Sequence, residues 1–105
     1  MVRNDNDFIK ARQALDLAFK HPSVIMFFTK VPWGNIDRFI SMEFLDQLYV
    51  NGVTFNFNIN KKLLSFGNGS KIYFIRWDGN WRTRIRGMKY DHVVAHTLEN
   101  ETETI

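Results

Sequence analysis

Cysteine is absent from the 105 residues of this chain, which excludes a disulfide framework and any zinc site built from cysteine thiolates. The sequence also lacks an apolar run of the roughly 18 residues that a membrane-spanning helix needs. Its first ten residues contain no apolar core of signal-peptide length. We therefore expect a cytoplasmic protein that has no membrane partner.

Composition and charge indicate a folded domain with a mildly basic surface. Hydrophobic residues make up 45% and aromatic residues 15% of the chain, as is typical of globular proteins. The net charge of +3 at pH 7 favours a polyanion or an acidic protein as partner. At this length we expect one domain over residues 1–98 and an acidic flexible tail over residues 99–105.

Two stretches have the apolar periodicity of amphipathic helices. Residues 5–20 place their apolar side chains largely on one helical face. His21-Pro22 ends this helix, because the residue before a proline disfavours helical geometry. A second helix is predicted over residues 37–50, and Asn51-Gly52 is a good stop signal after it.

Three further stretches predict single strands. Residues 24–28 are continuously apolar, as expected of a central strand that is covered on both faces. Residues 53–59 alternate apolar and polar side chains, which is typical of a half-exposed strand. Residues 93–95 form a short, apolar and β-branched run that fits a buried strand of a parallel sheet.

Residues 63–75 have the pattern of a β-hairpin. The apolar runs 63–66 and 72–75 flank the turn sequence Gly-Asn-Gly-Ser of residues 67–70, and Asn-Gly is a strong hairpin signal. With the other elements, the chain predicts an α/β fold: a small layered sheet with two helices and a β-hairpin.

The segment of residues 76–90 combines basic and aromatic side chains. Arginine binds phosphate in bidentate geometry, and an exposed tryptophan stacks on unpaired bases. Both residue types are also enriched in the hot spots of protein interfaces. The candidate residues for binding a protein partner or a nucleic acid are Arg76, Trp77, Trp81, Arg82, Arg84, Arg86 and Lys89. A third interpretation is purely structural, with the tryptophans folded back into the core and the arginines solvated.

No convincing catalytic or metal-binding set is present. His92 and His96 would share a metal on a helix, but on the predicted strand they lie about 13 Å apart at roughly 3.3 Å per residue. We expect these histidines to be exposed or to lie at strand ends. No serine has the G-x-S-x-G pattern of a nucleophile elbow. The sequence therefore predicts a protein that is not an enzyme and holds no metal.

The order of motifs from the hairpin onward resembles one known family. An Asn-Gly-Ser turn, an apolar strand, a loop, an Arg-Gly dipeptide, a short spacer and a second apolar strand follow one another. The residues that carry this order are Asn68-Gly69-Ser70, Arg86-Gly87 and Val93-Val94. It resembles the ATPase core of phage terminase large subunits and related nucleic-acid-dependent P-loop ATPases.

In that family the Arg-Gly dipeptide precedes the Walker B strand, which ends in two acids that hold Mg²⁺ and activate the attacking water. This chain has Ala95 and His96 at those two positions. Alanine offers no ligand, and imidazole is a poor ligand of Mg²⁺ beside carboxylate oxygen. The phosphate-loop sequence G-x-x-x-x-G-K-[ST] is absent as well.

The resemblance therefore implies a cut-down P-loop ATPase core, without its first strand and phosphate loop, that neither hydrolyses ATP nor needs a cofactor. It implies a phage or mobile-element setting in the host cytoplasm. There the protein would bind a protein partner, as an accessory, decoy, modulator or inhibitor of a motor or a host ATPase. The alternative is a small basic protein that binds DNA or RNA directly through residues 76–90.

Overall fold

A five-stranded mixed sheet organises the chain in the computed structural model, which describes residues 5–97. The predicted tail of residues 99–105 lies outside the described residues. The strands are β1 (Val24–Thr29), β2 (Phe55–Asn58), β3 (Leu63–Phe66), β4 (Lys71–Arg76) and β5 (His92–His96). Their order in the sheet is β2-β3-β4-β1-β5. The α/β fold class predicted from the sequence is thus confirmed.

Both predicted helices are present. α1 spans Asp5–Lys20, and the second helix runs without a break through α2 (Ile36–Ile40), a π-helical turn (Ser41–Leu45) and α3 (Asp46–Val50). A 3-10 turn, Trp33–Asn35, precedes it. Between residues 5 and 97, no helix has the length and apolar character needed to cross a bilayer.

One short helix was not predicted. α4 (Trp81–Arg84) lies inside the segment of residues 76–90, which the sequence indicated as a loop. Its four residues make barely more than one turn, so they contain no helical repeat of apolar residues for a pattern to detect.

The central position predicted for β1 is confirmed. β1 pairs in parallel with β4 on one side and with β5 on the other, and residues 25–29 are all buried. β2, β3 and β4 form an antiparallel meander. β5 is parallel, as predicted, but it lies at the edge of the sheet and its Val93 side chain is exposed.

α1 and the helix of residues 36–50 cover one face of the sheet. This helix-covered face buries alternate residues of the central strands against both helices. At its centre, the ring of Phe27 lies 5.2 Å from that of Phe44 and 5.5 Å from that of Phe74, measured between centroids. The main hydrophobic core is therefore on this side.

The turn of the β3–β4 hairpin fastens α1 to β1. The Ser70 hydroxyl donates a hydrogen bond to the Ala18 carbonyl at 2.7 Å and accepts one from the Ser23 backbone N–H at 3.0 Å. The Asn68 side-chain amide donates to the same Ala18 carbonyl at 2.9 Å. Gly69 has φ +94°, a backbone conformation that favours glycine. The Asn-Gly-Ser motif thus satisfies a carbonyl near the end of α1.

Candidate functional site

Residues 76–90 form a cover over the sheet face opposite the helices. The chain leaves β4, crosses β1 and enters β5 on its far side. Beneath it, Met26 and Phe28 of β1 are buried with Trp77, while Ile85 and Met88 are partly buried against them. We call residues 76–90 the cationic crossover.

The two tryptophans of the cationic crossover point inward. Trp77 is only 9% exposed, so its ring is not accessible for stacking on a base. Trp81 is half-buried, and its ring meets that of Phe28 edge to face with 5.1 Å between centroids. Both tryptophans therefore anchor the segment to the sheet, which is the placement expected in the structural interpretation of this loop.

The basic residues of the cationic crossover point outward. All five of them are exposed: Arg76, Arg82, Arg84, Arg86 and Lys89. With Asp78 as the one acid, the segment has a net charge of +4. The rest of the chain contains nine basic and ten acidic residues, a net charge of −1. The positive balance of the whole protein thus comes from this segment.

Asp78 orders the start of the cationic crossover. Its Oδ1 atom accepts hydrogen bonds from the Asn80 backbone N–H at 2.8 Å and from Arg84 Nη1 at 2.7 Å, and its Oδ2 lies 4.0 Å from Arg76 Nη1. The Asn80 N–H first, and then the Arg84 and Arg76 guanidinium groups, lower the pKa of the Asp78 carboxyl.

Three basic residues of the crossover have no carboxylate partner within residues 5–97. They are Arg82, Arg86 and Lys89. The charge of Arg84 and part of that of Arg76 are instead compensated by Asp78. The uncompensated charge therefore lies in the part of the crossover from Arg82 onward.

Each tryptophan of the chain lies beside a cation. The Arg82 guanidinium is 4.5 Å from the centroid of the Trp81 ring, and that of Arg76 is 5.2 Å from Trp33. The Lys30 ammonium is 4.9 Å from Trp77. Arg76 ends β4 and Lys30 follows β1, so these two cations lie at the carboxyl ends of parallel strands. Open α/β sheets bind ligands at that edge.

The Arg86-Gly87 dipeptide ends the turn that follows α4. Gly87 has φ +78°, in the left-handed region where a side chain is strained. The Met88 backbone N–H donates to the Ile85 carbonyl at 3.0 Å across this turn. The glycine thus lets the chain reverse toward β5 and leaves the Arg86 side chain exposed.

A buried polar network joins β1, β5 and α1, and sequence reasoning missed it. His96 is 0% exposed; its Nδ1 lies 2.8 Å from Thr29 Oγ1 and its Nε2 lies 2.6 Å from Asp7 Oδ1. Thr29 Oγ1 also accepts from the Val31 backbone N–H at 3.2 Å. His92 and His96 lie at the two ends of β5, which is one of the two placements predicted; neither is exposed, since His92 is half-buried and His96 is fully buried.

An acid, an imidazole and a hydroxyl in series have the connectivity of a catalytic triad. Here, however, the Thr29 hydroxyl is buried on the helix-covered face of the sheet, where no substrate can reach it. The signal available in the sequence was the two-residue period that His96 shares with Val94, which puts both on the core side of β5. The network is therefore a structural link.

Neither metal-ligating groups nor similarity to known proteins assigns a function to the site. Over the described range, no three or more His, Cys, Asp or Glu residues are grouped so that they could hold a metal ion. Comparisons of the chain with protein families, with curated proteins and with solved structures found no match. The residues of the chain itself are thus the basis for assigning its function.

Proposed function

We propose that the protein is a non-catalytic nucleic-acid-binding domain that contacts phosphates through the cationic crossover. The observation that carries this proposal is the outward placement of five basic side chains on a segment whose tryptophans point inward. Neutralisation of phosphates by lysine and arginine supplies essentially all of the affinity in non-specific nucleic-acid binding.

Within the crossover, Arg82, Arg86 and Lys89 make the main phosphate contacts. Among residues 5–97 no carboxylate competes for them, and guanidinium groups match phosphate oxygens in bidentate geometry. Arg84 contributes less, because its Nη1 atom already holds Asp78 at 2.7 Å. Phosphate contacts carry no sequence information, so we expect little preference for base sequence.

The absence of phosphate-loop residues supports a role without ATP hydrolysis of the P-loop type. β1, residues 30–35 and the helix of residues 36–50 form a strand–loop–helix unit, the arrangement that carries the phosphate loop in P-loop proteins. The loop sequence here is Lys-Val-Pro-Trp-Gly-Asn, without the Gly-Lys-Ser/Thr that cradles nucleotide phosphates.

Fluorescence anisotropy with a short labelled DNA duplex, titrated across a NaCl series, tests the proposal. Each neutralised phosphate contributes about −0.9 to the slope of log K against log salt, so three contacts give about −2.7. The triple variant Arg82→Gln, Arg86→Gln, Lys89→Gln should lose most of this slope and bind weakly even at low salt. Circular dichroism would show that it is folded.

A matched control removes the same charge elsewhere. Lys20, Arg38 and Lys61 are exposed and lie outside the crossover, so their triple glutamine variant should keep most of the slope. If both triple variants lose affinity equally, binding reflects net charge alone and the proposed site is wrong. Failure of the wild type to bind at low salt would overturn the function itself.

A protein partner is the second candidate, favoured by the Arg82–Trp81 pair. The guanidinium lies over a half-buried indole at the surface, and these two residue types dominate interface hot spots. In this case the domain acts as an accessory, decoy, modulator or inhibitor of a motor or a host ATPase, as the terminase resemblance implies. A partner captured from lysate that withstands high salt and is lost with Trp81→Ala would favour this candidate.

A further inference from the structure

The outer edge of β2 lies at the end of the sheet away from the cationic crossover. β2 pairs with β3 and ends the sheet order on that side. Within residues 5–97 no strand pairs with its outer edge, which leaves backbone N–H and C=O groups there available to another chain. The crossover covers β4, β1 and β5, so it lies over the other part of the sheet.

β2 lacks most of the features that usually protect an edge strand. Protected edges are very short, as this strand of four residues is, or they carry charged side chains, proline or a bulge. Residues 53–60 read Val-Thr-Phe-Asn-Phe-Asn-Ile-Asn, with neither a charge nor a proline. Phe55 and Phe57 are half-buried and pack against the helix-covered core, while Asn56 between them is exposed.

A groove with a mixed polar and apolar lining runs beside this edge. Its volume is about 680 Å³. Its apolar lining comes from Leu45, Leu48, Tyr49, Val53, Phe55 and Phe57, and none of the described residues that line it is charged. Tyr49 is 69% exposed and Ile59, just after β2, is 52% exposed. An uncharged strand edge bordered by exposed apolar side chains is typical of an interface.

We propose that a second copy of this chain occupies the edge, with β2 antiparallel to β2 of the partner about a two-fold axis at Asn56. The strand is suited to self-pairing, because this register sets Asn56 opposite Asn56 and Phe55 opposite the partner's Phe57. Residues opposite each other in an antiparallel pair share one face. The phenylalanine rings of the two copies therefore contact each other on the helix-covered face, and the Asn56 side-chain amides contact each other on the opposite face.

Charge distribution favours a second copy as the occupant. Each chain has a net charge of +3, but the positive balance lies in the crossover and none of it in residues 53–60. Two uncharged edges therefore meet without like-charge repulsion. The two-fold axis is perpendicular to the joined sheet. Both cationic crossovers therefore lie on the same face of that sheet.

The oligomeric state of the full chain tests this interface. Sedimentation velocity over a concentration series should show a monomer–dimer equilibrium for the wild type. Asn56→Lys places two ammonium groups opposite each other at the two-fold axis and should give a monomer at every concentration. Gln13→Lys adds the same charge at an exposed position of α1 and should leave the dimer intact.

Disulfide trapping is an independent test of the β2–β2 interface. The chain has no cysteine, so Asn56→Cys introduces a single thiol. Opposite residues in an antiparallel pair have Cα atoms about 4.5–5.5 Å apart, within the range of about 4.4–6.8 Å that a disulfide accepts. Mild oxidation should therefore crosslink this variant covalently, and Gln13→Cys should remain without a crosslink. A wild type that is monomeric throughout, or equal crosslinking of both variants, would overturn the proposal.

Discussion

The two faces of the sheet are covered by different structures, two helices on one side and the cationic crossover on the other. Among residues 5–97, the two amphipathic helices and the strands that they cover contribute 16 buried hydrophobic residues to one cluster on the helix-covered face. In the same part of the chain, the cluster under the cationic crossover on the other face contains three. Because burial of apolar surface is the dominant favourable term in folding, most of the stability of the domain comes from the helix-covered face.

The difference indicates where function can be located. The helices hold the strands in place with closely packed rings, whereas the crossover fixes itself with Trp77, Trp81 and a few aliphatic contacts. Its remaining side chains are free to be basic and exposed. Segments with few buried contacts on a rigid scaffold commonly carry binding residues. Removal of side chains from each face in turn tests this division.

The largest effect is expected from Phe44→Ala on the helix-covered face. Phe44 is fully buried, and its ring contacts those of Phe27 and Phe74 with centroids 5.2 Å and 4.9 Å away. Loss of the ring should lower the free energy of unfolding by about 3–5 kcal/mol. Urea unfolding, followed by circular dichroism, measures the change.

Ile85→Ala is the matched change under the cationic crossover. Ile85 is half-buried, so its loss should cost less than the roughly 2–5 kcal/mol typical of a fully buried isoleucine. Equal losses of stability for Ile85→Ala and Phe44→Ala would contradict the proposed difference between the faces.

A smaller effect is expected from Thr29→Val in the buried network. Valine has nearly the shape of threonine but leaves His96 Nδ1 and the Val31 N–H without their hydroxyl partner. An unsatisfied buried polar group costs about 1–3 kcal/mol. Urea unfolding of Thr83→Val, at an exposed position of α4, should stay within about 0.5 kcal/mol of the wild type. If the two variants are equally stable, the network contributes nothing.

Sequence patterns predicted the helix-covered side well, because its elements are long and periodic. α1, the helix of residues 36–50 and the central β1 all follow from apolar spacing. The π-helical turn at Ser41–Leu45 and the partners of His96 could not be predicted. Asp7 and His96 are 89 positions apart in the chain, and a contact at that separation depends on tertiary packing.

For the candidate site, composition located the segment but not the directions of its side chains. The alternation of arginine and tryptophan in residues 76–90 is visible in the sequence, and all its basic residues are indeed exposed. Whether Trp77 faced solvent or the core depended on the apolar surface of Met26 and Phe28 beneath it. A lone tryptophan in an irregular segment has no period from which to infer its direction.

The smallest effect is expected from Asp78→Asn in the cationic crossover. The Asn80 N–H and the neighbouring arginines hold the pKa of this carboxyl below its ordinary value of 3.8. A carboxyl whose pKa is lowered on folding stabilises the folded state above that ordinary value, and the contribution is lost as pH falls through the folded pKa. The urea midpoint of Asp78→Asn should thus lie below that of the wild type at neutral pH and converge with it in acid.

Asp46→Asn is the control for this pH dependence. Asp46 is exposed, and no hydrogen bond or ion pair links its side chain to another residue of the described chain. Its variant should therefore show no comparable convergence. A gap between wild type and Asp78→Asn that widens in acid would mean that Asp78 does not order the crossover. Convergence would show that the Asp78 carboxylate, with the Asn80 N–H and Arg84 that it binds, helps to order a segment that its tryptophans anchor to the sheet.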